Sequence, residues 1–228
     1  MRTETFDNIT LYNADCRDVE AAYSAIITDP PYGMAFRSNY RTVRHDAIAN
    51  DGDVGMLQWT CRLPATHSKY IFCRWDNIAG VPKPKSLITW VKNNWSMGDL
   101  KHEHGRQTEV ALFYPGPEHF FPNGRPSDVV RAPRTGNDDH PTQKPVELME
   151  QVVLWTDGVV FDPFMGGGST GIACARLGRA FVGVELDPGY FDTACRAIER
   201  AMGSPSMFKP KPANDNMPTA SLFDEVAA

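Results

Sequence analysis

The 228-residue chain predicts an α/β protein with a single mostly parallel sheet and helices on both faces. Three observations carry that expectation. Seven short runs rich in β-branched and aromatic residues alternate with stretches of helical periodicity, the pattern of strands joined through crossover helices. A glycine-rich segment follows one of these runs and opens a helix, as ligand-binding strand-to-helix turns do. The length suits one domain with one core.

In chain order the predicted strands are "ITLYN" (9–13), "SAIIT" (24–28), "KYIFC" (69–73), "LITWVK" (87–92), "TEVALFY" (108–114), "GVVFD" (158–162) and "AFVGVE" (180–185). Helices are expected at 52–65, 145–156, 169–178 and 188–202. The last has Pro188 in its first turn and Gly203 just past its end, the usual boundary asymmetry. Two long segments, 33–51 and 115–141, show no regular pattern and mix arginines with aromatics. Loops of that length in a compact domain are more often functional than incidental. The expected domain is 1–203, and the polar, proline-containing 204–228 reads as a disordered tail.

Hydrophobic residues make up 42% and charged residues 22%, which places the chain among globular proteins. No apolar run approaches the roughly 20 residues of a membrane helix. "MRTETFDNIT" holds no signal-peptide segment, so the expected compartment is cytoplasmic. Five scattered cysteines without a CxxC pair argue against a disulfide framework and against a zinc site. The net charge is -5, yet residues 34–145 hold 15 Lys and Arg against 11 Asp and Glu. A basic middle between acidic ends is compatible with one phosphate-facing surface.

In "FDPFMGGGSTG", Gly166, Gly168 and Gly171 satisfy G-x-G-x-x-G after a strand and before a helix. Glycines there permit a tight turn and close backbone approach, and the helix N-terminus offers N–H groups to an anion. The following strand ends in Glu185, a carboxylate suited to ribose hydroxyls. Only one strand follows the loop, whereas a dinucleotide enzyme normally begins with it. Most of the sheet must therefore be built upstream.

"TDPPYG" (28–33) ends an apolar strand, at the sheet edge where open α/β folds bind ligands. Pro30 and Pro31 have fixed φ, and Pro30 biases Asp29 toward an extended conformation. The stiff turn lets the Asp29 carboxylate and the Pro30 carbonyl converge beside the Tyr32 ring. Two acceptors next to an aromatic face suit a planar ligand that bears an NH2 group.

These motifs together resemble the amino-methylating DNA methyltransferases that use S-adenosylmethionine. "DPPY" resembles their catalytic motif, "DPFMGGGSTG" their cofactor loop, and "HPTQKP" (140–145) the segment before that loop. Their order, catalytic motif first, is that of the circularly permuted beta group, of the DPPY adenine-N6 type. The resemblance implies the family's Rossmann-like fold: a seven-stranded sheet with one antiparallel hairpin formed by "LITWVK" and "TEVALFY". It also puts "ITLYN" beside "AFVGVE". By the same resemblance, Asp15 lies near the cofactor's adenine, Phe164 packs on the cofactor and Asp162 faces its ammonium. Gly166 and Gly168 shape the cofactor turn, Glu185 holds the ribose and Leu186 covers the adenine. Ser169, Thr170, Thr142 and Lys144 are the candidates for its carboxylate.

The implied reaction is direct transfer to the exocyclic amine of a flipped adenine in double-stranded DNA. Asp29 and the Pro30 carbonyl accept the amine protons, Pro31 stiffens the turn and Tyr32 stacks on the base. Arg37, Arg41 and Arg44 in the first loop, and Arg125, Arg131 and Arg134 in the second, are the candidate DNA contacts. The second loop is short for a recognition domain, which points to a brief target site or to help from a second subunit in a homodimer. In the tail, "TASLFDE" resembles sliding-clamp peptides that insert two apolar side chains, here Leu222 and Phe223. Cytosine-N4 methylation is the nearest rival, since that base bears the same NH2 group, although Ser commonly replaces Asp in such enzymes. A nicotinamide oxidoreductase and a DNA-binding module without activity are the rivals from other classes.

Overall fold

The computed structural model describes residues 1–31, 54–95, 101–102, 104–134 and 144–203. Tyr32, Arg37, Arg41, Arg44, Thr142, Leu222 and Phe223 lie outside the described residues.

The strands are β1 (Arg2–Phe6), β2 (Ile9–Asn13), β3 (Ala25–Thr28), β4 (Ser68–Cys73), β5 (Ser86–Val91), β6 (Thr108–Pro115), β7 (Val129–Arg131), β8 (Val160–Asp162) and β9 (Phe181–Glu185). The helices are α1 (Gly55–Arg62), α2 (Val146–Leu154), α3 (Ser169–Arg176) and α4 (Pro188–Met202). They form one nine-stranded sheet in the order β1-β2-β9-β8-β3-β4-β6-β5-β7. Parallel pairing runs from β2 through β9, β8 and β3 to β4. β6 is then antiparallel to both β4 and β5, so the expected hairpin is present. "ITLYN" does pair with "AFVGVE", in parallel, from Ile9↔Phe181 to Asn13↔Glu185.

The strand count is the correction: nine among the described residues rather than seven. β1 has one large apolar residue, Phe6, so it lacks the alternation that marks a half-buried strand. It forms instead because Asp7, in the left-handed region at φ 52, closes a two-residue turn that pairs Phe6 with Ile9. β7 spans only three residues, too few to show a period, and lies inside the segment expected to be irregular. Its pairing with β5 buries Val130, and the Trp90 indole N–H donates to the Ala132 carbonyl at 2.9 Å. α1 is shorter than the expected 52–65, ending where Leu63 turns extended at ψ 137.

Alternation along the central strands separates two cores. Ile27, Tyr70 and Phe72 face α2, α3 and α4, packing with Leu148, Val153, Ile172 and Phe191. Their neighbours Ile26 and Ile71 face the opposite layer, which contains α1. Both faces of the middle strands are therefore buried, which is why these strands read as near-continuous apolar runs. Phe181 and Phe191, each fully buried, contribute about 1.5–3 kcal/mol apiece by transfer from water.

The winding reverses between β8 and β3: the chain adds strands outward from β3 on one side and from β8 on the other. Ligand crevices of open α/β sheets form at such a reversal, beyond the carboxyl ends of the strands. Asp29 and Asp162 stand there, at the ends of β3 and β8.

Candidate active site

Asp162 is 3% exposed and accepts three hydrogen bonds. Thr28 Oγ1 donates to Oδ1 at 2.6 Å, the Phe164 N–H to Oδ1 at 3.1 Å, and Thr170 Oγ1 to Oδ2 at 2.7 Å. Burial pushes its pKa up to about 6, the three donors pulling against that rise and the nearby Asp29 charge adding to it. A carboxyl so enclosed gains from a cation placed against it, since Oδ2, with one donor, has capacity for another.

The turn after it depends on glycine. Gly166 and Gly168 have φ of 51° and 86°, a region costly for residues with a Cβ. A Cβ at Gly171 would stand 2.4 Å from Ile198 Cδ1 and 2.9 Å from Phe181 Cε1, so this third glycine permits α3 to pack against β9 and α4. The Gly166 N–H donates to Glu185 Oε2 at 2.9 Å and the Asp187 N–H to Oε1 at 2.8 Å. The Glu185 carboxylate is thus fixed at the end of β9, with its pKa raised by burial. Leu186 beside it is 46% exposed, an apolar surface open to a ligand.

On the neighbouring strand, Asn13 Nδ2 donates to the carbonyls of Glu185 and Leu186 at 2.9 and 3.0 Å. The next turn brings Asp15 to the same edge. Its side chain accepts from the Arg17 N–H at 3.0 Å and from Nε at 2.9 Å, which holds its pKa down to about 2. Phe164, half-buried, meets Trp59 of α1 edge-on, with ring centroids 6.3 Å apart. Asp15, Asp162, Phe164, Gly166, Gly168, Ser169, Thr170, Glu185 and Leu186 therefore gather along the β2-β9-β8 edge. Thr170 differs in detail from the expectation, since its hydroxyl is committed to Asp162.

Asp29 stands across the reversal from Asp162. Its Oδ2 accepts from the Lys144 ammonium, whereas Oδ1 is buried without a hydrogen-bond partner among the described residues. Burial raises the Asp29 pKa, and the Lys144 charge opposes that rise. Pro30, directly after it, is buried. Lys144, expected as a candidate for the cofactor's carboxylate, sits against Asp29. It also bridges to Glu109 Oε2 at 3.2 Å, and Glu109 Oε1 pairs with Lys92 Nζ at 2.5 Å.

Sequence reasoning missed Thr28, Trp59, Glu109 and Lys92. Thr28, Lys92 and Glu109 entered the sequence reading only as residues of the strands 24–28, 87–92 and 108–114. The adjacency of Thr28 to Asp29 was the one available signal.

The second loop divides between two edges of the sheet. The Gly116 N–H donates to the His67 carbonyl at 2.7 Å and Asn123 Nδ2 to the Leu154 carbonyl at 2.9 Å, so 116–123 lie at the edge opposite Asp29. Arg125 follows directly there. β7 then returns the chain, placing Arg131 level with Val91 at the carboxyl end of β5. The Arg134 N–H donates to Asn93 Oδ1 at 3.2 Å, also at that end. All three arginines are exposed.

A family model described as DNA methylase, of the N6/N4 type, matches residues 23–196. The chain belongs to the N6/N4 DNA methylase family. S-adenosylmethionine is the methyl donor of this family, and the DNA amine is its substrate. YubD of Escherichia coli (strain K12), provisionally named a methylase, is 28% identical over 216 residues, spanning 82% of this chain and 90% of YubD. The type II methyltransferase M2.DpnII of Streptococcus pneumoniae is 40% identical over 63 residues, 26% of this chain and 24% of that protein. The crystal structure of the M1.HpyAVI complex with S-adenosylmethionine superposes with a TM-score of 0.63 at 28% identity, covering 82% of this chain and 98% of that one. The cytosine-N4-specific PvuII DNA methyltransferase shares the fold, with a TM-score of 0.61 at 14% identity over 87% of this chain and 93% of its own. Among the described residues no helix is long and apolar enough to cross a membrane, and no cluster of His, Cys, Asp and Glu could hold a metal.

Proposed function

We propose that this chain methylates the exocyclic N6 amine of adenine in double-stranded DNA. The observation that carries the reading is Asp29: one buried carboxylate oxygen lacks a partner among the described residues at the strand reversal, while the other is tied to Lys144. A buried acceptor without a donor is costly, and an amine proton delivered there removes that cost.

Bound S-adenosylmethionine supplies an electrophilic methyl group on its sulfonium sulfur. The fit for it is physical: Asp162 offers an enclosed carboxylate for its ammonium, Glu185 a fixed pair of acceptors for its ribose, and Leu186 and Phe164 apolar surface for its adenine. Asp15, Ser169 and Thr142 complete the proposed binding set, with Thr170 holding Asp162 in place and Gly166 and Gly168 shaping the turn beneath it.

The N6 lone pair is delocalised into the adenine ring, which makes it a poor nucleophile. Asp29 Oδ1 accepts one amine proton and the Pro30 carbonyl the other, which draws the nitrogen toward tetrahedral geometry. After the N–C bond forms and the S–C bond breaks, the nitrogen bears one proton too many, and Asp29 is the group placed to take it. The base must leave the duplex to reach this site, with Tyr32 as its stacking surface. Adenine is favoured over cytosine because the acceptor is Asp and not Ser.

The test is expression in a methylation-free host, followed by long-read sequencing that separates N6-methyladenine from N4-methylcytosine. N6-methyladenine at a short recurrent site is expected. N4-methylcytosine would replace the adenine reading, and unmodified DNA would remove both. Asp29→Ala is expected to bind S-adenosylmethionine as wild type does and to lose methyl transfer; near-normal turnover would overturn the role given to Asp29.

A further inference from the structure

The described residues hold a line of alternating charges directly behind Asp29, the cations buried and the carboxylates half-buried. Lys92 at the end of β5 pairs with Glu109 of β6, Glu109 with Lys144, and Lys144 with Asp29. Lys92 and Lys144 are 9% and 6% exposed. Two cations and two anions sum to zero, which makes such a line tolerable under the surface, where an odd charge would not be. The Lys144 ammonium also stands 5.3 Å over the Phe72 ring, a contact only a cation favours. Its backbone is held at the start of α2, where the Pro145 carbonyl accepts from the Leu148 and Met149 N–H groups at 3.1 Å.

Building on the reading of Asp29 as the amine acceptor, we propose that Lys144 is a positioning residue for it. Lys144 holds Asp29 Oδ2, so the carboxylate plane is fixed and Oδ1 is the oxygen left for the target amine. Its positive charge keeps the carboxylate ionised in a buried site, as an acceptor must be. Glu109 and Lys92 in turn anchor the ammonium. This replaces a role for Lys144 in gripping the cofactor's carboxylate.

The electrostatics of the line agree with that geometry. Burial works against the Lys144 ammonium, but Asp29 and Glu109 outweigh it and raise its pKa. Burial likewise works against Glu109, and Lys144 and Lys92 outweigh it, holding Glu109 at about 2. Among the described residues, the charged and titratable groups facing Asp29 are Lys144 before α2, Glu109 on β6, Lys92 after β5, Asp162 on β8 and Cys73 on β4. Lys144 is the one in hydrogen-bond contact with it.

The experiment compares wild type with Lys144→Met, Lys144→Gln and Lys144→Arg. The Asp29 carboxyl is followed in the ligand-free protein by 13C NMR of labelled aspartate, its resonance identified with Asp29→Asn. Losing the cation is expected to raise the Asp29 pKa by about one unit or more, with Arg restoring much of the wild-type value. Because Asp29 acts ionised, the acid limb of kcat against pH moves to higher pH by the same amount. At fixed pH, kcat is expected to fall about 100-fold. The S-adenosylmethionine dissociation constant from calorimetry stays within about twofold of wild type, a split that a cofactor ligand would not show. Should Lys144→Met fail to fold, Lys144→Gln gives the same comparison.

An unmoved Asp29 titration would overturn the proposal. So would a loss of cofactor affinity that matches the loss of activity. Wild-type methylation of the amine is the separate control: its absence would refute the proposed function, whereas the NMR titration tests the Lys144–Asp29 coupling alone.

Discussion

Asp162 shows how burial and hydrogen bonding set what one residue can do. With its pKa raised to about 6 by burial, the ligand-free protein favours the protonated form, so this group's contribution to stability is lost as pH rises through about 6. A cation held against the carboxylate favours the ionised form and reverses the preference. S-adenosylmethionine affinity is therefore expected to weaken as pH falls through about 6, with proton release on binding at acid pH. Calorimetry in two buffers of different ionisation enthalpy measures that release, and none at pH 5.5 would contradict the assignment of Asp162 to the ammonium. Thr28→Val removes a donor to the carboxylate, so the transition should move to higher pH. At this scale Asp29 and Asp162 were legible because each ends an apolar run directly before proline, and Glu185 because it ends the strand that follows the glycine loop. Thr28 and Lys144 gave no such sign, since nothing local tells a threonine or lysine which carboxylate it will meet.

Among the elements, the turn from β8 into α3 sets how closely strand and helices approach. The absent side chain at Gly171 lets α3 pack on Phe181 and Ile198. Ile198 Cδ1 can swing aside, but the Phe181 ring is fully buried and has nowhere to go. Gly171→Ala is expected to cost about 1–3 kcal/mol of stability, read from urea unfolding, by overpacking. An unchanged midpoint would show that the helices can separate freely. The seven strands named from the sequence all form because their β-branched and aromatic residues are buried. β1 and β7 escaped notice because edge strands are held by ladder hydrogen bonds with few buried side chains.

For the whole molecule, the order of strands decides which arginines share the carboxyl edge with Asp29, the edge that the proposed function turns toward DNA. Arg131 and Arg134 return to the carboxyl edge through β7, whereas Arg125 stays with the segment at the opposite edge. Arg131→Ala and Arg134→Ala should each weaken DNA binding and reduce the salt dependence of log K by about one unit. Arg125→Ala should leave both unchanged, and equal losses from all three would mean that DNA reaches around the sheet. The sequence by itself determined the α/β class, the cofactor turn and the acid at the end of β3, because each depends on patterns within a dozen residues. Tertiary structure alone decided that Lys144 meets Asp29 from 115 positions away in the chain, that Thr28 meets Asp162, and that one arginine loop serves two edges. Those pairings depend on strand order and on which charges are buried together, and neither is carried by local sequence.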